Sequence, residues 1–307
     1  MPAISVSKSI VIDAPPQAVF EEVRNFKSWI KWSPWLIAEP DARVTYDEDG
    51  NGYAWEGDVT GAGNMRIKTE EAGKSIESDL QFLKPWKSHA DVRFLFEAQD
   101  IGTRVTWTLA SSLPFFLSFM KSAMVTGIGM DYERGLKMLK DLVEKGDVPS
   151  KLTFSGESEF TGFPFVGIRS DTILANIGDA VPATYAKLHD WMGREGVSPG
   201  GPGFVIYHDC NLKTGAIDYT AGYEVADAPE SIGPDILAGT LPNCRTWSVV
   251  HEGAYHHLGN AWSAGMMYER SKKFRKAKTP APFEIYLNDP SETEPKDLRA
   301  VVHFPVR

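Results

Sequence analysis

Cysteine is scarce in this sequence. Cys210 and Cys244 are the two cysteines among 307 residues, and they form neither a CxxC pair nor a metal-site spacing. A disulfide framework is therefore excluded, and free thiols are typical of a reducing compartment, so we expect a cytoplasmic protein. We expect no metal ion and no other cofactor, because the sequence has no metal-site spacing and no cofactor motif.

Positive charge is also in short supply. The chain has 32 Lys and Arg residues against 41 Asp and Glu, a formal net charge of -9, and a sequence pI of about 5.3. Nucleic acids and anionic membranes are bound by clustered positive charge, so we expect no direct nucleic-acid partner and no membrane partner. The acidic balance favours neutral or cationic ligands. The basic residues between 272 and 278 follow a predicted helix, whose dipole they complement.

Long apolar runs and familiar catalytic motifs are missing as well. The most apolar segment, 113–130, is interrupted by Lys121 and by serines and threonines, so it is too short and too broken for a membrane span. Residues 1–9 lack the basic and apolar regions of a signal peptide, and we expect none. No G-x-S-x-G elbow, P-loop or dinucleotide fingerprint occurs, which removes common hydrolase, NTPase and dehydrogenase signatures.

The stretch 251–257, His-Glu-Gly-Ala-Tyr-His-His, resembles a zinc-protease motif only superficially. That motif needs two residues between His-Glu and the second histidine, so that both histidines share one helix face. Here His256 follows at a longer spacing, and Gly253 interrupts the segment. We therefore exclude a zinc site and interpret His251 as a turn or helix-start residue, with contact to a ligand as the lesser alternative.

What is present points to two domains of the α+β class. The length and the 42% hydrophobic content suit two separate cores. In the first half, the alternation of Val6, Ile10 and Ile12 predicts a strand, Pro15 and Pro16 open a short helix, and glycine-punctuated strands follow as far as about residue 109. An amphipathic pattern then predicts one long helix from Pro114 to about Lys145. We expect a curved antiparallel sheet around this helix, in a domain spanning 1–147.

The second half, 151–307, contains a weak internal repeat. Phe204–Tyr207 is echoed by Phe283–Tyr286, and Ile177–Ala180 is echoed by Leu258–Ala261 at nearly the same distance along the chain. Each copy reads strand, helix, strand, strand. Two such units can pair into one sheet with a cleft between them, which is a common place for ligands.

The first half resembles the START/polyketide-cyclase-like (SRPBCC) superfamily over residues 3–146. The resemblance is carried by Ile10–Pro15, by Val19 and Phe20, and by Trp29 with Trp32–Trp35. It implies a helix-grip fold with a deep apolar cavity that binds lipids, polyketides or hormones. Trp29 and Trp32 could rim this cavity, or they could pack in the core and in loops.

Residues 151–307 resemble the GyrI-like domain, also called the AraC-type effector-binding domain. The matching stretches are His251–Tyr255, Leu258 with Ala261–Trp262, Phe283–Pro290 and Phe304–Val306. The resemblance implies binding of small, often cationic and aromatic, molecules beside a buried glutamate, and Glu284 is the residue that matches it. Some stand-alone members are reported as hydrolases of cyclopropane-bearing compounds. Transcription-factor members carry a helix-turn-helix domain before this module, whereas here that place holds the predicted cavity domain.

Glu284 is the first candidate for a functional residue. In a strand, Glu284 and Tyr286 face one side, while Phe283, Ile285 and Leu287 face the other. A desolvated carboxylate in a cleft attracts a cation or acts as a proton acceptor with a raised pKa, and aromatic walls add cation–π contacts. The alternative is a strand with one wet face and Glu284 in water. The candidate lining residues, each of which could instead be ordinary core, are Tyr207, Trp247, Tyr255, Trp262 and Tyr286.

Three functions remain open from the sequence. The first is a protein that senses or sequesters an amphipathic, cationic or aromatic small molecule in a cleft centred on Glu284. The second is a hydrolase of a reactive small molecule, with Glu284 as general acid or base assisted by Tyr286 or Tyr255. The third is an interaction protein that presents its domains to a macromolecule. The oligomeric state stays open.

Overall fold

In a computed structural model the chain forms two compact units, Met1–Pro149 and Ser150–Arg307. The structure describes residues 3–112, 115–226 and 232–307. Across these residues the first unit has one antiparallel sheet of seven strands, and the second unit has one of eight. No helix in the described ranges combines the length and the apolar character needed to cross a membrane.

The first unit is a sheet followed by one long helix. Its strands are β1 (Ala3–Ile12), β2 (Arg43–Tyr46), β3 (Gly52–Gly57), β4 (Gly61–Glu71), β5 (Ser75–Lys84), β6 (Ser88–Ala98) and β7 (Thr103–Ser112). Its helices are α1 (Pro16–Arg24), α2 (Trp29–Trp32) and α3 (Lys121–Lys145). The strand order is β1-β7-β6-β5-β4-β3-β2, so the predicted helix-grip architecture is confirmed. The predicted helix start, Pro114, lies outside the described residues, and a 3-10 segment, Phe115–Met120, precedes α3.

An aromatic core fills the space between the sheet and α3. Trp29 and Trp32 are 2% and 0% exposed, so both belong to this core. Tyr132 of α3 stacks on Trp107 of β7 with ring centroids 3.8 Å apart. The helix comes this close because position 135 is a glycine: a Cβ there would lie 2.8 Å from the Trp107 ring. Shape complementarity therefore positions α3 on the sheet.

The second unit contains two copies of the predicted strand-helix-strand-strand pattern. The first copy consists of β9 (Phe163–Ile173), α4 (Ile177–Glu195), β10 (Gly203–Cys210) and β11 (Ala216–Glu224). The second consists of β13 (Cys244–Gly253), α5 (Gly259–Arg270), β14 (Phe283–Tyr286) and β15 (Arg299–Pro305). Two further strands, β8 (Ser150–Phe160) and β12 (Leu237–Leu241), complete the sheet, whose order is β12-β9-β11-β10-β14-β15-β13-β8.

This strand order reads the same from both edges when the copies are exchanged, which confirms the duplication. The central pair is β10 with β14, one strand from each copy. Val205 lies directly opposite Glu284 in this pair. The offset that superimposes Phe204 on Phe283 also superimposes Val205 on Glu284, so the two residues are equivalent and face each other across the axis that relates the copies.

The edge strands are exchanged between the copies, which the sequence did not indicate. β8 precedes the first copy but pairs with β13 of the second, and β12 precedes the second copy but pairs with β9 of the first. The two crossing segments touch where the Gly162 amide donates to Asn243 Oδ1 at 2.7 Å. A Cβ at Gly162 would lie 1.9 Å from the Leu241 carbonyl oxygen, so this crossing requires glycine.

Both helices of the second unit lie on the same face of its sheet. α4 packs on β9 and β11, and α5 packs on β13 and β15. Val181 of α4 clusters with Val205, and Trp262 of α5 reaches Glu284. Because directly opposed residues of paired strands point to one face, Val205 of β10 and Glu284 of β14 lie on the face of the sheet that carries α4 and α5.

Candidate ligand-binding site

Glu284 lies on β14, one of the two central strands of this sheet. It is 2% exposed, and its cross-strand neighbours are Val205 on β10 and Val302 on β15. The alternation of β14 sends Phe283 and Ile285 into an apolar cluster on the opposite face. The solvent-exposed alternative for Glu284 therefore does not hold, and the carboxylate is desolvated.

Three neutral groups donate hydrogen bonds to this carboxylate. The Tyr286 hydroxyl donates to Oε1 at 2.5 Å, the Tyr207 hydroxyl donates to the same oxygen at 3.0 Å, and Trp262 Nε1 donates to Oε2. Burial raises the pKa of Glu284, and the three donors oppose that rise only in part. Within the described part of the chain, Glu284 has no cationic partner.

The two tyrosines of this cluster are equivalent residues of the two copies. The offset that relates Val205 to Glu284 also relates Tyr207 to Tyr286. Their hydroxyls nevertheless converge on one oxygen, Oε1 of Glu284. The site is thus built from a symmetric pair of donors and a single, asymmetric carboxylate. Burial, followed by the nearby Glu284 charge, raises the pKa of both phenols, so both remain neutral donors at neutral pH.

Two further tyrosines form walls whose hydroxyls are tied to the backbone. The Tyr185 hydroxyl donates to the Phe204 carbonyl at 2.8 Å. The Tyr255 hydroxyl lies 3.0 Å and 3.1 Å from the Asn288 and Arg299 carbonyl oxygens. The Tyr286 ring packs against both of them, with centroids 6.2 Å from Tyr185 and 5.1 Å from Tyr255. Anchored rings of this kind give a binding site a fixed shape before the ligand arrives.

An aromatic path continues from the walls to the surface. The Tyr223 ring lies 5.2 Å from Tyr185, and His189 stacks on Tyr223 with centroids 5.2 Å apart. His189 is exposed, and its Nε2 lies 2.9 Å from the Tyr223 hydroxyl. The sequence reasoning missed Tyr185, Tyr223 and His189 as site residues. Tyr185 lies on the apolar face of its helix, where an aromatic side chain gives no separate signal.

The structure brings together Tyr207, Tyr255, Trp262 and Tyr286 around Glu284, but it does not bring Trp247 there. Trp247 stacks on Phe274, with ring centroids 4.6 Å apart. Phe304 contacts both Trp247 and Trp262, so this ring lies between Trp247 and the carboxylate. Trp247 is therefore part of the core between α5 and the sheet, as the sequence alternative allowed.

His251 belongs to β13 and not to a turn, which corrects the sequence interpretation. It is fully buried, and its Nε2 shares a hydrogen bond with Ser150 Oγ at 3.1 Å. Burial lowers the pKa of His251 to about 3, with smaller contributions from His257 and His256. His251 is therefore a neutral, buried residue of β13.

Comparison with known domain families agrees with this architecture. Residues 3–144 match the family model described as polyketide cyclase / dehydrase and lipid transport. Residues 157–307 match the GyrI-like small molecule binding domain. The chain therefore carries a polyketide cyclase-type domain followed by a GyrI-like small molecule binding domain. None of the curated proteins compared with the chain matches it.

Solved structures resemble one or the other half of the chain. The EcmrR C-terminal domain is 21% identical with a TM-score of 0.41, over 52% of this chain and 98% of that domain. A protein from Chromobacterium violaceum is 17% identical with a TM-score of 0.36, over 46% of this chain and 98% of its own. The Aha1 dimer from Colwellia psychrerythraea is 16% identical with a TM-score of 0.36, over 47% of this chain and 98% of its own.

Proposed function

We propose that the second unit binds a small, planar, cationic molecule in the cleft between α4 and α5, with Glu284 as its counter-charge. The observation that carries the proposal is a fully buried carboxylate whose hydrogen-bond partners are all neutral. A buried charge without an opposite charge costs free energy. A cationic ligand supplies the missing charge, so its binding recovers part of that cost.

The aromatic residues around Glu284 suit the same class of ligand. The rings of Tyr185 and Tyr255 pack against Tyr286, and aromatic faces of this kind favour a planar guest through stacking and cation–π contacts. Tyr207, Tyr286 and Trp262 donate to Glu284, so a ligand cation can replace one of these donors without leaving the carboxylate unpaired. The proposed pocket therefore has fixed outer rings, and inner rings whose hydrogen bonds to the carboxylate a ligand can replace.

The test is the affinity of a defined monocation, N-methylphenylpyridinium, measured by isothermal titration calorimetry. We expect Glu284→Gln to weaken binding by about thirtyfold or more, equivalent to ~2 kcal/mol, because it removes the buried counter-charge. Glu292→Gln, an exposed carboxylate in the same unit, removes the same net charge and should leave the affinity unchanged. Equal affinity of the wild type and Glu284→Gln would refute the assignment.

Hydrolysis is the second candidate function, favoured by the raised pKa of Glu284 and by the Tyr286 hydroxyl 2.5 Å from it. In this reaction Glu284 takes a proton from water while the water oxygen bonds to a carbon of a strained ring. The ring carbon–carbon bond breaks, and its electron pair takes the proton back from Glu284. With a cyclopropane-bearing electrophile, Glu284→Gln should then retain binding but form no product. If the wild-type protein forms no product, hydrolysis is excluded and binding remains as the proposed function.

A further inference from the structure

We infer that Val205 sets the charge preference of the cleft: by keeping the position opposite Glu284 apolar, it restricts the site to ligands that carry one positive charge. This inference rests on the proposed function and adds a specificity-determining residue to it. Val205 is fully buried, and it faces Glu284 in the register of β10 and β14. It belongs to the same cluster as Tyr185, Tyr207 and Tyr286, so it lies at the floor of the proposed pocket.

The duplicated architecture makes position 205 equivalent to position 284. Glu284 receives one hydroxyl from the tyrosine two residues later in its own strand, Tyr286, and one from the equivalent tyrosine, Tyr207. A carboxylate introduced at position 205 would stand in the mirrored relationship to the same two tyrosines. The fold therefore offers two equivalent carboxylate positions, and this sequence uses one of them.

A single carboxylate discriminates between ligand charges by desolvation. A monocation in the cleft is matched by Glu284, whereas the second charge of a dication would be buried against Val205 without a counter-charge. The next carboxylate along the chain from β14, Asp289, is exposed and already accepts hydrogen bonds from Ser291. Solvent screening leaves Asp289 a poor substitute for a buried counter-charge.

The experiment compares two probes of nearly the same size and shape, N-methylphenylpyridinium with one charge and N,N'-dimethylbipyridinium with two. Calorimetric affinities at neutral pH are measured for the full chain, for Val205→Glu, and for the uncharged control Val205→Gln. We expect the wild type to prefer the monocation by at least about tenfold. Val205→Glu should shift the dication-to-monocation affinity ratio by at least about tenfold toward the dication, and Val205→Gln should not.

Two buried carboxylates could prevent Val205→Glu from folding. A transposed variant, Val205→Glu combined with Glu284→Val, has one buried carboxylate and tests the inference in that case. It carries the same side chains exchanged across the axis, and it should bind the monocation within about tenfold of the wild type. An unchanged dication-to-monocation ratio in folded Val205→Glu, or a folded transposed variant that does not bind, overturns the inference. If the monocation binds the wild type and Glu284→Gln equally, the proposed function itself fails, which is a different result.

Discussion

At the scale of single residues, the burial of one carboxylate lowers the stability of the protein. Glu284 is buried in the centre of a sheet and compensated by three neutral donors. Neutral hydrogen bonds replace part of the hydration that the carboxylate loses on burial, but they supply no opposite charge. A buried residue that destabilises the empty protein, and whose charge only a cation would neutralise, is typical of a binding site and not of a structural core.

The raised pKa of Glu284 links stability to pH. Its folded pKa lies above the ordinary value of 4.5, so the folded state holds this proton more tightly than the unfolded state. The stabilising contribution is therefore complete below about pH 4.5 and is lost as the pH rises through the folded pKa. We expect the free energy of unfolding of the wild type, relative to Glu284→Gln, to fall in urea titrations as the pH rises above the ordinary value of 4.5. A difference that rises with pH would contradict the burial of this charge.

The residues of the site differ in how far the sequence could specify them. Strand alternation and the family resemblance predicted Glu284 with Tyr286, because both signals act within one short segment. Tyr185 and Tyr223 enter the site through the packing of α4 and β11, which local pattern does not encode. Trp247 was misplaced because an aromatic residue of a paired strand is equally suited to a core and to a cleft wall.

At the scale of elements, glycine positions decide how closely helices and strands approach. In α3, Gly135 lies against Trp107 and would clash with it if it carried a Cβ, whereas Gly127 of the same helix has open space around its Cβ position. The long helix and its end at Lys145 were predictable from period and punctuation, whereas its start was not. The exchange of β8 and β12 was not, because strand pairing across copies leaves no mark on the local pattern.

These two glycines give a matched pair of substitutions. Gly135→Ala should lower the free energy of unfolding by about 1–3 kcal/mol, because overpacking against Trp107 outweighs the gain in helix propensity. Gly127→Ala should raise it by up to about 1 kcal/mol, because alanine reduces the entropy of the unfolded chain. Urea unfolding of both variants provides the check. Stabilisation by both substitutions would mean that Gly135 does not lie in close contact with Trp107.

At the scale of the whole molecule, a net charge of -9 is spread over a chain whose proposed ligand is a cation. Long-range attraction speeds the encounter of opposite charges, and salt screens it. We expect the association rate of N-methylphenylpyridinium to fall by about threefold between low and physiological salt. The rate for the uncharged isostere methylbiphenyl should stay constant. Stopped-flow tryptophan fluorescence measures both rates, and equal salt dependence would exclude electrostatic steering.

A double-mutant cycle between protein and ligand shows whether the charge of Glu284 recognises the charge of the ligand. Calorimetry provides four affinities, for N-methylphenylpyridinium and methylbiphenyl binding to the wild type and to Glu284→Gln. We expect a coupling free energy of at least ~2 kcal/mol between the two charges. A coupling near zero, with both probes bound to the wild type and to Glu284→Gln, would mean that Glu284 does not recognise the ligand charge.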